Sequence, residues 1–165
     1  MDLKKYIRTV PNFPNDGIMF RDVTTLFNNA GAFEEAVSQF KNLWQEDGVE
    51  AIAGIDARGF IIGGALATKL GLPFIALRKK GKLPYNTISE DYALEYGKAS
   101  LEIQTDAIRK GDSVLIVDDL IATGGTAIAG VNLIKALEGN IVGCGFIIDL
   151  PDLGGAKKLE DSGIK

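Results

Sequence analysis

The sequence predicts a single α/β domain, spanning residues 1–165, whose mostly parallel, twisted sheet is flanked by helices. Short, continuous apolar runs, which are typical of strands buried on both faces, alternate along the chain with segments of helical periodicity. The 165 residues are 46 % hydrophobic and 24 % charged, a balance that is typical of one globular domain. A chain of this length can bury a core without disulfides or a cofactor.

The first part of the chain predicts two helices separated by an irregular stretch. A short helix is expected over residues 2–10, and Pro11 and Pro14 break the pattern after it. The stretch that follows, PNFPNDGIMFRDVTTLF, is interpreted as a lid or a packed loop. A second helix is predicted from Ala32 to Trp44, because apolar residues recur there at helical spacing. We expect these residues to face a core: Phe33, Ala36, Val37, Phe40, Leu43 and Trp44.

The remainder of the chain predicts alternating strands and helices. The strand EAIAGI, the turn DARG, a helix over residues 60–70 and the strand PFIAL form one βαβ unit. Residues 99–103 alternate between apolar and polar side chains, which favours a half-buried antiparallel strand with Glu102 on its polar face. A strand-loop-helix unit over residues 113–138 and a strand over residues 141–148 follow. In such a fold, ligands bind at the carboxyl ends of the strands.

The composition excludes several classes of function. A net charge of -4 argues against general nucleic-acid binding, which requires a cationic face. Cys144 is the only cysteine, so the chain forms no intramolecular disulfide and no cysteine-rich metal cluster. Histidine is absent, which leaves carboxylates, lysines and tyrosines to handle protons. With no signal peptide and no apolar run long enough for a membrane span, we expect a soluble, cytoplasmic protein without a membrane partner.

The stretch VDDLIATGGT favours a site for a phosphorylated sugar. It leads from an apolar strand into a helix, whose N-terminal N–H groups and dipole attract a phosphate. Glycines in the loop over residues 122–126 allow close approach to the backbone, and threonines there add hydroxyl donors. Asp118 and Asp119, which we expect to end the strand, are poor phosphate ligands but good acceptors for vicinal hydroxyls. The alternative is that capping acids and a glycine turn simply begin a helix.

Two further loops carry cations. Arg58 in GIDARGF opens a helix, and the run RKKGK directly follows the strand PFIAL. Because the carboxyl ends of parallel strands meet at one edge, we expect both loops to face the loop over residues 122–126. The alternative for the basic run is a solvated surface cluster. Together, the three loops indicate a ligand with an anionic group at each end and hydroxyls between them.

A phosphate, ribose hydroxyls and a second, multiply charged group describe 5-phosphoribosyl 1-pyrophosphate. VLIVDDLIATGGT resembles the motif that binds this compound in the type I phosphoribosyltransferase family. Other stretches are similar to the adenine-using branch of that family: PNFPNDGIMFRDVTTLF, GIDARGFIIGGALA, RKKGKLP and YALEYGKASLEIQTDAI. The resemblance extends over about residues 1–150 in order and spacing.

The resemblance implies the type I phosphoribosyltransferase fold with a small N-terminal hood at approximately residues 11–27. It implies transfer of the 5-phosphoribosyl group from 5-phosphoribosyl 1-pyrophosphate to adenine, which gives AMP and pyrophosphate. Magnesium would arrive with the substrate rather than on direct protein ligands, and the protein would be a homodimer. Two alternatives stay open: a transferase for hypoxanthine or guanine, and a non-catalytic regulator that senses 5-phosphoribosyl 1-pyrophosphate.

Residue by residue, the resemblance assigns each part of the site. The 5-phosphate would be bound by Ala122, Thr123, Gly124, Gly125 and Thr126, and the ribose by Asp118 and Asp119. Pyrophosphate would be bound by Arg58, Arg78, Lys79 and Lys82, and adenine by Met19, Phe20, Arg21 and Leu120. Glu95 matches the carboxylate placed against the purine, and in a chain without histidine it is the best candidate for handling the purine proton. Local context alone favours an exposed Glu95 and a Phe20 that packs in a core.

Overall fold

The computed structural model describes residues 1–94 and 97–165, which separate into two compact units, residues 1–43 and 44–165. The strands are β1 (Arg8–Pro11), β2 (Met19–Asp22), β3 (Ala51–Ile55), β4 (Phe74–Lys79), β5 (Thr87–Ala93), β6 (Lys98–Gln104), β7 (Ser113–Ile121) and β8 (Asn140–Asp149). The helices are α1 (Thr24–Phe27), α2 (Ala30–Trp44), α3 (Arg58–Leu70), α4 (Gly125–Ala136) and α5 (Gly155–Asp161).

The first unit contains a two-stranded antiparallel sheet, in which β1 pairs with β2. The prediction of a helix over residues 2–10 is wrong, because the helical part is a 3₁₀ turn that includes only Leu3–Tyr6 and β1 begins at Arg8. The stretch predicted to be irregular contains β2 and α1. Asp22 joins these elements: hydrogen bonds from Thr24, and then the contact with Arg8, lower the pKa of Asp22 to about 2.

Helix α2 confirms the second predicted helix and starts two residues earlier than expected. The side chain of Asn29 accepts a hydrogen bond from the N–H of Ala32 at 2.9 Å and so caps the first turn. The predicted core positions Ala36, Val37, Phe40 and Trp44 are buried, and Phe33 is half-buried. Leu43, however, is 69 % exposed. It lies at the margin of the apolar stripe, so the periodicity alone overestimated its burial.

The second unit contains a six-stranded sheet in the order β5-β6-β4-β3-β7-β8. β3 pairs in parallel with β4 and β7, and β7 pairs in parallel with β8. β5 and β6 complete the sheet as antiparallel strands, with β6 next to β4. This arrangement confirms the predicted fold class. β5 was not predicted, because its sequence TISEDYA lacks the continuous apolar run that identified the inner strands.

Helices α3 and α4 cover opposite faces of this sheet. A Cβ atom on Gly63 of α3 would lie 2.8 Å from the Phe74 ring, and one on Gly130 of α4 would lie 3.1 Å from Leu77 Cδ1. Phe74 and Leu77 are three positions apart on β4, so their side chains point to opposite faces. Glycine at each position lets its helix pack directly on the strand side chains.

The carboxyl ends of the inner strands differ from the prediction in ways that matter for the site. β7 does not end at Asp118 and Asp119 but continues to Ile121, because β8 pairs with it beyond the last contact with β3. β4 continues through Lys79, so the basic run begins within the strand rather than after it.

β6 is the antiparallel strand that the alternating pattern predicted, but it is more than half-buried. Glu102, expected on a polar face, is only 7 % exposed. Its neighbours Leu101 and Ile103 are 1 % and 0 % exposed. The sequence pattern reports one apolar face and does not reveal that the other is covered. Among the described residues, none of the helices combines the length and apolar character that a membrane span requires.

Two adjacent glycines of α3 provide a test of this packing. Gly63→Ala should lower the free energy of unfolding by about 1–3 kcal/mol, because the new methyl group overpacks the contact with Phe74. Gly64→Ala should raise it by up to about 1 kcal/mol, because alanine favours the helix and a Cβ there meets nothing within 4 Å. Urea unfolding of both variants measures the difference, and equal effects would contradict the close approach of α3 to the sheet.

Candidate active site

The ends of β3, β4 and β7 bring cations and carboxylates together at one edge of the sheet. Arg58, which follows β3, donates from Nε to Asp119 Oδ2 of β7 at 2.5 Å. Asp56, also after β3, accepts from Arg78 Nε of β4 at 3.3 Å. These ion pairs therefore link the segment after β3 to β7 and to β4, next to the loops that the sequence singled out.

The Arg58–Asp119 pair depends on the start of α3. Arg58 is the first residue of the helix, and Gly59 packs so closely on β7 that a Cβ there would lie 2.8 Å from the Val117 carbonyl oxygen. A side chain at Gly59 would push the helix away from the strand. Asp119 is 4 % exposed, whereas the side chain of Arg58 is 46 % exposed. The guanidinium thus compensates a buried carboxylate while still reaching solvent.

Asp118 differs chemically from its neighbour. Desolvation, followed by the nearby charge of Asp119, raises the pKa of Asp118 to about 8, against an opposing effect of the Asp119 N–H and of Arg58. The N–H of Asp119 donates to Asp118 Oδ1 at 2.8 Å. A carboxyl group that holds its proton near neutral pH both donates and accepts hydrogen bonds, as a sugar hydroxyl does. The pair therefore suits neutral, hydroxyl-bearing ligands better than a second anion.

The loop over residues 122–126 joins β7 to α4. Gly124 adopts a positive φ of 81°, and no side chain caps the first turn of this 12-residue helix in the part of the chain that the structure describes. The first-turn N–H groups have no intrahelical acceptor, which is the arrangement that binds phosphate. A cavity of about 160 Å³ is lined by this loop together with Asp118, Leu120 and Phe146. The predicted phosphate loop, one ribose acid and Leu120 thus share one cavity.

Gly155, at the start of α5, supports the loop from behind. Its N–H donates to the carbonyl oxygen of Ala122 at 2.9 Å, and a Cβ on Gly155 would lie 2.8 Å from the Gly124 nitrogen. Sequence reasoning missed both Gly155 and the cavity residue Phe146. The Gly-Gly pair before the last helix is a usable signal for the first, whereas nothing in the local pattern singles out Phe146.

The basic run forms a turn, and its first residue, Arg78, makes hydrogen bonds within the protein. Arg78 donates from Nη1 to the Lys82 carbonyl oxygen at 3.3 Å, in addition to its contact with Asp56, and its guanidinium carbon lies 5.8 Å from the centroid of the Phe60 ring. Lys79 and Lys82 are exposed. Arg78 therefore shapes the turn that carries these lysines, whatever it contributes to a ligand directly.

The residues predicted to bind the base belong to different units. Met19, Phe20 and Arg21 lie on β2 in the first unit: Met19 is 55 % exposed and Phe20 is half-buried, with its ring centroid 5.1 Å from that of Phe13. Arg21 donates to the hydroxyl of Thr9. Leu120 lies on β7 in the second unit, so a stack between Phe20 and Leu120 stays a prediction. Glu95 lies outside the described residues.

The donor set does not fit a metal ion held by the protein alone. Within residues 1–94 and 97–165, no group of three or more histidine, cysteine or acidic side chains converges. Of the two acids at the site, Asp118 holds its proton near neutral pH and Asp119 pairs with Arg58.

The sequence profile of the phosphoribosyl transferase domain matches residues 23–164. The chain belongs to the phosphoribosyl transferase family. The matched region includes all three loops at the sheet edge. Met19, Phe20 and Arg21 precede it, so the phosphoribosyl transferase match includes only Leu120 among the predicted base-binding residues.

Individual relatives are similar over nearly the whole chain. The adenine phosphoribosyltransferase of Dinoroseobacter shibae is 57 % identical over 159 residues, which cover 96 % of this chain and 89 % of the relative. The crystal structure of the Rhodothermus marinus enzyme of the same name is 47 % identical with a TM-score of 0.89, covering 94 % of this chain and 89 % of that one. The Saccharomyces cerevisiae enzyme, solved with an imino-altritol bisphosphate and adenine, is 40 % identical with a TM-score of 0.91, covering 96 % and 92 %.

The pKa of Asp118 predicts how stability depends on pH. The pKa of this carboxyl group is 3.8 when unperturbed and about 8 in the folded protein. The contribution of Asp118 to the free energy of unfolding is therefore fully present below pH 3.8 and is lost as the pH rises to about 8. Asp118→Asn removes this loss. We expect the variant to gain about 1–3 kcal/mol relative to the unsubstituted protein between about pH 5 and pH 8.

Urea unfolding at several pH values measures this gain. Asp161→Asn, which removes an exposed carboxyl group with 64 % side-chain exposure, controls for the change in net charge. A constant difference between Asp118→Asn and the unsubstituted protein across this range would contradict the raised pKa.

Proposed function

We propose that the protein transfers the 5-phosphoribosyl group from 5-phosphoribosyl 1-pyrophosphate to adenine, releasing pyrophosphate and forming AMP in purine salvage. The observation that carries the proposal is the edge of the sheet that carries an uncapped helix N-terminus, a pair of unlike carboxyl groups, of which Asp118 is half-buried and Asp119 buried, and a basic turn. Each part suits one group of this substrate, in the order phosphate, ribose, pyrophosphate. The choice of adenine is supported by relatives of that name at up to 57 % identity.

The two ends of the substrate would be held by opposite kinds of site. The N–H groups and hydroxyls over residues 122–126 would bind the 5-phosphate, and Asp118 and Asp119 would accept hydrogen bonds from the ribose hydroxyls. Arg58, Arg78, Lys79 and Lys82 would bind the pyrophosphate. When bound with the substrate, Mg²⁺ would neutralise part of the pyrophosphate charge. As the bond to ribose C1 breaks, negative charge grows on the leaving group, where these cations stabilise it most.

Arg58 would couple the ribose and pyrophosphate subsites. Its Nε donates to Asp119, a proposed ribose ligand, and its own helix N-terminus favours anions. A ribose hydroxyl on Asp119 and a pyrophosphate oxygen on the guanidinium would therefore lie on either side of the bond that breaks. Holding both groups on one ion pair limits the motion of the reacting carbon relative to its leaving group.

The residues that the family resemblance assigns to the base would select the purine. Phe20 and Leu120 would enclose the adenine ring, the backbone of Met19 would contact the 6-amino edge, and Arg21 would orient the site. Stacking accepts any purine, so the choice of adenine must come from hydrogen bonds to the 6-amino group. Glu95 would take the proton that adenine loses as N9 forms the new bond.

Assembly and location complete the proposal. The family resemblance supports a homodimer, and a composition with one cysteine supports a reducing, cytoplasmic environment.

The activity is tested by supplying purified protein with 5-phosphoribosyl 1-pyrophosphate, Mg²⁺ and one purine at a time. We expect AMP from adenine, with kcat/KM at least about 100-fold above that for hypoxanthine or guanine, because a polar edge discriminates strongly between amino and oxo groups. Chromatographic detection of the nucleotide measures the outcome. IMP or GMP as the main product would assign a different purine, and no nucleotide with retained binding of the phosphoribosyl donor would indicate a sensor.

Glu95→Gln tests the proton-handling role. Because the carboxylate would act mainly in the transition state, we expect kcat to fall by about 100-fold or more while the KM for either substrate changes by less than about threefold. Steady-state kinetics between about pH 6 and pH 9 measure both constants. Glu46→Gln, at an exposed position, is the control with the same change of charge. Unchanged turnover would remove Glu95 from the mechanism.

A further inference from the structure

Glu102 is a buried acidic residue to which the proposed mechanism gives no task. It lies in β6 with 7 % exposure, and its Cα is paired with that of Arg78 in the antiparallel ladder between β6 and β4. Directly paired residues of antiparallel strands project to the same face of a sheet. Glu102 therefore lies on the same face as the first residue of the basic turn. Burial of a carboxylate is unfavourable unless hydrogen bonds compensate it, so its position calls for a partner.

That partner is the backbone of the basic turn. Glu102 Oε2 accepts the N–H of Gly81 at 3.1 Å. Gly81 has a positive φ of 79° and lies between Lys79 and Lys82, where a hydrogen bond from the Lys82 N–H to the Lys79 carbonyl oxygen at 3.3 Å closes the turn. The carboxylate thus holds the turn at Gly81.

Other contacts hold the two residues that precede Gly81. Asp56 Oδ2 accepts the Lys79 N–H at 3.4 Å, and the Ser100 carbonyl oxygen accepts the Lys80 N–H at 3.1 Å. The Gly81 N–H, at the position where glycine gives the chain most conformational freedom, is bound by a side chain from a neighbouring strand. Without the Glu102 carboxylate, Gly81 would be the least constrained residue of the turn.

We propose that Glu102 is a positioning residue for the pyrophosphate subsite: by accepting the Gly81 N–H, it fixes the turn that carries Lys79 and Lys82. The proposal rests on the assignment of that turn to pyrophosphate. A turn that is already ordered loses less conformational entropy when it binds a ligand, so the benefit falls on pyrophosphate affinity. Adenine, which contacts other residues, gains nothing from it.

Two substitutions separate the hydrogen bond from the charge. Glu102→Gln keeps the reach of the side chain and an acceptor oxygen but removes the charge. Glu102→Asp keeps the charge but shortens the side chain by one methylene group, which withdraws the acceptor from Gly81. Glu46→Gln at an exposed position is the control for net charge.

The primary measurement is the Kd of Mg²⁺-pyrophosphate, obtained by titration calorimetry with each folded variant. Loss of a hydrogen bond to a charged group should weaken binding about 10-fold in Glu102→Asp, whereas Glu102→Gln should stay within about threefold of the unsubstituted protein. In kinetic assays, the KM for 5-phosphoribosyl 1-pyrophosphate should follow the same order, and the KM for adenine should not change. Circular dichroism and urea unfolding establish that the variants are folded.

Several results would overturn the proposal. Equal pyrophosphate affinity in Glu102→Asp and the unsubstituted protein would show that the contact does not position the turn, and a larger loss in Glu102→Gln would assign the effect to charge. A parallel rise in the KM for adenine would indicate general damage to the fold. If the unsubstituted protein forms no AMP but binds pyrophosphate, and Glu102→Asp weakens that binding, the assignment of the base fails while the role of Glu102 stands. If it binds no pyrophosphate, the role of Glu102 fails.

Discussion

The buried carboxylate of Asp119 is the constraint on which the candidate site depends. A carboxylate with 4 % exposure requires a charged or hydrogen-bonding partner, and Arg58 supplies one at 2.5 Å. The guanidinium reaches Asp119 only because Gly59 lets the start of α3 lie against β7. This contact places a helix N-terminus beside the carboxyl end of a neighbouring strand. The arginine loop and the acidic strand end are consequently parts of one site.

The same ion pair explains why two adjacent aspartates have different chemistry. Arg58 contacts Asp119 directly, so Asp118 is left to titrate beside a carboxylate and in a desolvated position, and its pKa rises to about 8. A protonated and an ionised carboxyl group together offer one donor and several acceptors. Adjacent hydroxyls of a ribose present the complementary set, since each donates one hydrogen and accepts others. Doubling the acid in the sequence therefore produces two different groups rather than a stronger negative charge.

Local patterns predicted the elements that build the site but not the contacts between them. Continuous apolar runs identified β3, β7 and β8, because strands buried on both faces carry that pattern wherever they pair. The end of β7 was misplaced by two residues, since its extension depends on pairing with β8, which no local pattern records. The burial of Glu102 and the contact between Asp56 and Arg78 are tertiary facts of the same kind. The convergence of the loops was predictable from topology, whereas their specific ion pairs were not.

Acidic residues lie behind each basic loop at this edge of the sheet, in a chain of net charge -4. Asp56 lies against Arg78, Asp119 against Arg58, and Glu102 against the backbone of the turn that carries the lysines. Each carboxylate orients a cation or its loop and reduces repulsion among the cations. On the proposed assignment, a multiply charged pyrophosphate would meet groups already held in place, and the surrounding carboxylates would limit how tightly it is retained. For an enzyme that must release pyrophosphate, such compensation favours turnover over tight binding of the product.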